Sequence, residues 1–142
     1  DSIIKMKEYF DSFGVELIFN MYNQSDYVLK PYIYDKPELY NKSKIVLLPS
    51  KAEGLGLTMI EGMVCGSVPI VCSDNLTAKE FISDEFVAEP NPESIKNKIE
   101  EINKNYEKFH KLSLEYAEKF KIQFNKKTIA KNIIDIFSKY KK

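Results

Sequence analysis

Two glutamates and a glycine-broken turn are the residues of this sequence whose types and spacing suit chemistry. Glu53 begins the run EGLGLTMIE, Glu61 ends it, and Gly54 and Gly56 lie between them. Glycine allows close backbone approach and unusual dihedral angles, and the start of a following helix attracts an anion such as phosphate. A carboxylate can also accept hydrogen bonds from the paired hydroxyls of ribose or a hexose. The run therefore indicates a sugar-phosphate site.

The same residues also have a purely structural interpretation. Acidic residues are common at helix starts, so Glu53 would only favour the helix and Glu61 would lie on the surface. A lone Gly-x-Gly pair is not specific, and Met59 occupies the position of the third glycine in a dinucleotide fingerprint. The residues alone leave both interpretations open.

Strands and helices that alternate along the chain must position these residues. The runs IVLLP at 45–49 and VPIVCS at 68–73 are continuously apolar, which predicts strands covered by helices on both faces. Helices are predicted at 57–65 and 76–82. This alternation predicts a parallel sheet with right-handed crossovers, in which ligands bind outside the carboxyl ends of the strands. The loop at 50–56 follows such an end.

The other patterns complete a single α/β domain. Upstream, the sequence predicts a helix at 2–13, strands at 15–19 and 27–34, and a short helix that Asp35 caps. Downstream, it predicts a weak strand at 86–88 and helices at 93–106, 107–120 and 126–140. We therefore expect one domain over 1–142, with an α/β core at 1–91 and helices at 92–142 that serve packing.

Composition disfavours several functional classes. Lysine plus arginine and aspartate plus glutamate number 21 each, so no overall charge favours nucleic acid. Cys65 and Cys72 have no partner at metal-binding spacing, and we interpret them as buried thiols in a reducing compartment, with His110 as a packing residue. No stretch approaches the roughly 20 apolar residues of a membrane-spanning helix, and no signal peptide is visible. A cytoplasmic location is expected.

The central third of the chain resembles the signature of the retaining glycosyltransferases with the GT-B fold, known as group 1 or family 4. The matching features are Pro49-Ser50, Glu53-Gly54-Leu55-Gly56, Glu61, Gly66, Pro69-Ile70-Val71 and Ser73-Asp74. Their order makes the resemblance specific, and it extends with less specificity over nearly the whole chain. The ordered motif disfavours another nucleotide-binding α/β domain, such as a sugar-nucleotide epimerase.

The resemblance implies the C-terminal half of a GT-B fold, a Rossmann-like parallel sheet flanked by helices that binds a nucleotide diphosphate sugar. It implies that Glu61 holds the ribose hydroxyls of this donor and that Glu53, as the catalytic residue, contacts the transferred sugar. The residues whose backbone N–H groups would face sugar and diphosphate oxygens are Gly54, Leu55, Gly56, Leu57 and Thr58. No metal or other cofactor is implied.

The resemblance also implies a longer enzyme. The family's N-terminal domain, which binds the acceptor, has no counterpart in this sequence, so we expect this domain alone to be inactive. The full-length protein would be a hexosyltransferase acting on a glycan or lipid acceptor, with peripheral association at the inner face of the membrane. The alternative is a catalytically degenerate domain that acts as a binding or assembly partner. The two intact glutamates argue against degeneration, whereas Asn75-Leu76, which replaces a usual glycine pair, argues for it.

Two further observations compare this sequence with the family. Gly62 stands where the family usually has alanine, and glycine costs a helix roughly 0.5–1 kcal/mol relative to alanine. Tyr32, Tyr34 and Tyr40 lie near the loops where the family contacts the base of the donor. One of these tyrosines is therefore a candidate for stacking on the base.

Overall fold

A computed structural model of the protein describes residues 36–140, and it begins with strands and helices that alternate. Its elements are α1 (Lys36–Lys42), β1 (Ile45–Leu48), α2 (Leu57–Val64), β2 (Val68–Cys72), α3 (Leu76–Lys79), a 3-10 turn (Asp84–Phe86), β3 (Val87–Ala88), α4 (Pro92–Lys104), α5 (Tyr106–Gln123) and α6 (Lys126–Lys139). The elements predicted at 2–13, 15–19 and 27–34 lie outside the described residues, as do Tyr32 and Tyr34.

The three strands form one parallel sheet in the order β1-β2-β3. The register pairs Ile45 with Val68, Leu48 with Val71, Val71 with Val87 and Cys72 with Ala88. Because the strands are parallel, the loops that leave β1 and β2 lie at the same edge of the sheet. The predicted α/β class and parallel sheet are confirmed.

Strand β2 forms the centre of the core. All five of its residues are buried, and helices α2, α4 and α5 pack against it. The prediction that helices cover both faces is confirmed for this strand. Strand β1 lies at one edge of the described sheet: Val46 and Leu48 are buried, and Ile45 and Leu47 are partly buried against the core.

Aromatic packing sets the limits of the C-terminal helices. Helix α5 continues three residues past its predicted end at 120, because Phe124 packs on Phe120 and Phe81 with ring centroids 5.9 and 6.3 Å apart. Helix α3 is shorter than predicted. It ends at Lys79, and the next apolar residues, Phe81 and Ile82, turn into the core.

Helix α6 differs from the other C-terminal helices in its exposure. Helices α4 and α5 bury apolar residues, as predicted for packing elements. Within the described residues α6 buries none, and Phe137 is 70% exposed. Helices α4 and α5 thus pack on the core, whereas α6 stays exposed in the part of the chain that the structure describes. The large apolar residues that α6 and its C-terminal cap expose are Ile129, Ile133, Ile134, Ile136, Phe137 and Tyr140.

Gly62 lets α2 pack directly on β1. A Cβ atom at this position would lie 2.7 Å from Val46 Cγ1 and 2.9 Å from Val46 Cβ, closer than Cβ atoms approach other carbons in proteins. The branched side chain of Val46 thus fills the space that an alanine methyl group would need. This contact explains why glycine, a poor helix former, occupies the middle of α2.

Replacement of Gly62 by alanine is expected to lower the free energy of unfolding by about 1–2 kcal/mol. The overpacking at Val46 outweighs the gain in helix propensity. Urea unfolding followed by circular dichroism measures the change.

Gly54→Ala is the matched control for this glycine substitution. No described heavy atom lies within 4 Å of a Cβ at Gly54, so stability should stay within about 0.5 kcal/mol of wild type. A Gly62→Ala protein at least as stable as wild type would show that the contact with Val46 does not constrain α2.

Candidate functional site

The loop after β1 ends in a glycine that fixes the start of α2. Gly56 adopts a left-handed conformation with φ 66° and ψ 45°, and a Cβ there would lie 3.1 Å from Leu48 Cδ2. Its carbonyl accepts hydrogen bonds from the N–H groups of Met59 and Ile60, at 3.0 and 3.3 Å. The position therefore requires glycine both for its dihedral angles and for its close approach to β1.

The N-terminus of α2 presents backbone N–H groups to the surface. No side chain in the described part of the chain caps this helix. Leu57 and Thr58 are exposed, and their N–H groups precede the first intrahelical hydrogen bond. Such groups, with the partial positive charge of the helix dipole, can bind an anion.

Gly54 differs from Gly56. It does not have a positive φ, and the space where its Cβ would stand is open. The unusual dihedral angles that glycine allows are therefore used at Gly56 and not at Gly54. The chain can follow this path at Gly54 with any residue, so the fold itself does not require a glycine there.

Glu61 is held at the contact between α1 and α2. Its side chain is half-buried, and the Tyr40 hydroxyl donates a hydrogen bond to Glu61 Oε2 at 3.3 Å. Burial and the charge of Glu61 raise the pKa of Tyr40 to about 12, with Cys65 contributing in the same direction and a hydrogen bond with Thr58 opposing it. The hydroxyl is therefore a donor at neutral pH, and Glu61 is not the free surface residue of the structural interpretation.

Tyr40 lies in the core rather than at the rim of the loop. Only 8% of this residue is exposed, so its ring has no free face on which a base can stack. Of the three tyrosines considered for base stacking, the one that the structure describes is unsuited to it. Its phenol packs inside the fold and its hydroxyl contacts Glu61.

Buried serines fix the backbone of α1 next to β2. Ser67 Oγ lies 3.0 Å from the Tyr40 carbonyl oxygen and 2.9 Å from that of Ser43, while Ser113 Oγ of α5 donates to the Ser67 carbonyl at 2.8 Å. Ser67 and Ser113 are completely buried. Sequence reasoning did not identify these serines. The signal for Ser67 was a small polar residue directly before the apolar strand VPIVC, and Ser113 is the one buried polar residue on the apolar face of α5.

Glu53 has a different environment. It is half-buried in the loop before Gly56, and within the described residues its carboxylate makes no hydrogen bond or ion pair. The structure therefore places Glu53 and Glu61 at opposite ends of the same loop–helix unit without a direct contact between them. The two carboxylates do not form an acid–base couple with each other.

The loop after β2 lies beside the glycine turn. Asn75 is completely buried and caps α3, with its Oδ1 accepting from the Ala78 N–H at 3.1 Å. Ala78 Cβ is 3.9 Å from where a Gly56 Cβ would stand. Asn75 thus has a structural role at the position of the family's glycine, and the exposed Leu76 follows it. Asn75 Nδ2 and Asp74 Oδ1 are buried without hydrogen-bond partners among the described groups.

The remaining candidates for chemistry take part in packing. His110 stacks on Tyr106 with ring centroids 5.3 Å apart, and both cysteines are free thiols, of which Cys72 is buried as predicted and Cys65 only half-buried. Within residues 36–140 no three histidine, cysteine or acidic side chains form a group suited to a metal ion. No helix in this range is long and apolar enough to cross a membrane.

Comparisons with known proteins extend this description. Residues 18–120 match the sequence model of the family described as glycosyl transferases group 1. A segment of 58 residues, 40% of this chain, is 43% identical to O-antigen chain mannosyltransferase B of Escherichia coli. The match covers 15% of that relative, so the chain spans only a small part of its length. The family match includes α1, the glycine turn, both glutamates and the sheet, and this chain therefore belongs to the group 1 glycosyl transferases.

Proposed function

We propose that this chain is the donor-binding part of a retaining hexosyltransferase, which transfers a sugar from a nucleotide diphosphate sugar to a glycan or lipid acceptor. One observation carries the proposal: along the chain, the uncapped N-terminus of α2 lies between two half-buried carboxylates, those of Glu53 and Glu61. This arrangement combines a site for phosphate oxygens with carboxylates that accept hydrogen bonds from sugar hydroxyls.

In this proposal Glu61 binds the ribose. A carboxylate has about four acceptor positions, of which the Tyr40 hydroxyl uses one on Oε2, and we propose that ribose hydroxyls bind at others. The diphosphate lies at the start of α2. The backbone N–H groups that would face the diphosphate and the sugar are those of Gly54, Leu55, Gly56, Leu57 and Thr58.

In this proposal Glu53 binds the sugar that is transferred. Its carboxylate is half-buried and has no partner within the described part of the fold, so its oxygens can accept hydrogen bonds from sugar hydroxyls. The leaving group of a nucleotide sugar is already a phosphate. The protein therefore contributes mainly by stabilising the charge that develops on the diphosphate and by aligning the acceptor, and neither glutamate has to act as a general acid or base.

The rest of the enzyme is also part of the proposal. An acceptor-binding domain would complete the site, the full-length protein would act in the cytoplasm at the membrane face, and residues 1–142 alone would bind donor without transfer. The name of the E. coli relative makes mannose the first sugar to test. A degenerate binding partner has less support, because Asn75, which suggested it, is accounted for as the cap of α3.

Substitution of Glu61 by alanine is expected to weaken binding of both the nucleotide and the nucleotide sugar by about 10- to 100-fold, the value of a hydrogen bond to a charged group. Glu53→Ala should weaken binding of the nucleotide sugar and leave the affinity for the nucleoside diphosphate unchanged. Calorimetry of the whole protein with UDP, GDP, ADP and their hexose derivatives measures these effects and identifies the base.

Glu115→Ala is the control for these titrations, since Glu115 is exposed on α5 outside the loop. It should bind like wild type. Equal affinities of wild type and Glu61→Ala would return Glu61 to a structural role, and a wild-type protein that binds none of the nucleotides would refute donor binding.

The product is expected to keep the anomeric configuration of the donor sugar. NMR of the first product formed by the whole protein distinguishes the two outcomes through the one-bond carbon–proton coupling constant at the anomeric carbon, which also separates the anomers of mannose. An inverted product would contradict the retaining mechanism but would leave donor binding by the α2 site unaffected.

A further inference from the structure

Tyr40 and Glu61 are 21 residues apart in sequence, yet their side chains meet inside the fold. Tyr40 lies on α1, outside the loop–helix unit of the proposed donor site, and it is buried. Its hydroxyl reaches Glu61 Oε2. The contact thus joins a rigid part of the core to the carboxylate that the proposed function assigns to ribose.

We propose that Tyr40 is a positioning residue of the donor site, whose hydroxyl holds the Glu61 carboxylate in the orientation that receives the ribose hydroxyls. The inference rests on the proposed function and deepens it. Tyr40 does not touch the donor in this account. It acts on donor affinity only through Glu61.

A phenol hydroxyl suits this task. A glutamate on a helix surface samples several rotamers, and binding a ribose in one of them costs side-chain entropy. A hydrogen bond from a buried, fixed donor restricts these rotamers before the ligand arrives, which is the usual way that preorganisation increases affinity. The raised pKa of Tyr40 keeps this donor protonated far above neutral pH.

The backbone of Tyr40 is itself fixed. Ser67 Oγ lies within hydrogen-bond distance of its carbonyl oxygen, and Ser113 on α5 donates to the Ser67 carbonyl. These contacts connect α1 with the start of β2 and with α5. A shift of Tyr40 away from Glu61 would therefore break buried hydrogen bonds, which is costly. The hydroxyl has a defined position relative to α2.

Tyr40→Phe tests the inference, because it removes the hydroxyl and keeps the ring that fills the core. We expect about a three- to tenfold loss of affinity for the nucleoside diphosphate that the wild type binds, measured by calorimetry on the whole protein. In a Glu61→Ala background the same change should have no further effect, since Tyr40 would have no carboxylate to orient.

Tyr116→Phe is the matched control. This half-buried tyrosine packs against Phe86 with ring centroids 6.2 Å apart, away from the glutamates, and its variant should bind like wild type. A separate readout does not involve the nucleotide. NMR of the protein containing tyrosine labelled with 13C at Cζ follows the titration of Tyr40. The Glu61→Gln substitution should lower the Tyr40 pKa from about 12 towards 10.

The outcomes separate this inference from the proposed function. Unchanged affinity of Tyr40→Phe beside weakened binding by Glu61→Ala would refute the positioning role alone. Equal losses from Tyr40→Phe with and without Glu61 would also refute it, since Tyr40 would then act independently. A wild type that binds no nucleotide would refute the proposed function and, with it, the role of Tyr40, even if the tyrosine titration shows the contact.

Discussion

The direct packing of α2 on β1 is the constraint on which the rest of the site depends. With no Cβ at Gly62, the helix lies against Val46, and this distance fixes both ends of α2 relative to the sheet. At its first end the Gly56 turn must then pass close to Leu48, which only a glycine in a left-handed conformation achieves. Next to this helix–strand contact, the Glu61 side chain contacts α1 through the Tyr40 hydroxyl. One helix–strand contact thus sets the positions of the start of α2, where we propose that the diphosphate binds, and of the carboxylate that we propose for the ribose.

Buried polar groups at the two ends of β2 add specificity to this packing. Ser67, directly before β2, connects α1 with the sheet and with α5. Asn75, in the loop after β2, caps α3 next to the glycine turn. Each such group costs free energy if it loses its partner, so each disfavours alternative arrangements of the helices around the strand. The apolar strand contributes buried surface, and the polar groups at its ends determine which helices can pack beside it.

Sequence reasoning found the features that local chemistry determines. Continuous apolar runs predicted β1 and β2, and the spacing of Glu53, Gly56 and Glu61 indicated the loop–helix unit that the structure shows. It did not find the partners that the fold brings together from distant positions. Tyr40 was considered for its aromatic ring, whereas its contribution is a hydroxyl that meets Glu61 across 21 residues. The sequence showed that Gly62 replaces the alanine usual in the family. The cause, close contact with Val46 on the neighbouring strand β1, is visible only in the packed structure.

The exposure of α6 bears on how the protein unfolds. A helix of 14 residues gains little stability from propensity alone, and most helices depend on the apolar surface that they bury. In the part of the chain that the structure describes, α6 buries no residue, so its melting exposes little new apolar surface. Among the described elements, α6 is therefore expected to contribute little to the heat-capacity change of unfolding, and the sheet, α2, α4 and α5 contribute more. Within the described residues we therefore expect the core that unfolds cooperatively to end near Phe124, with α6 melting as a weakly coupled element.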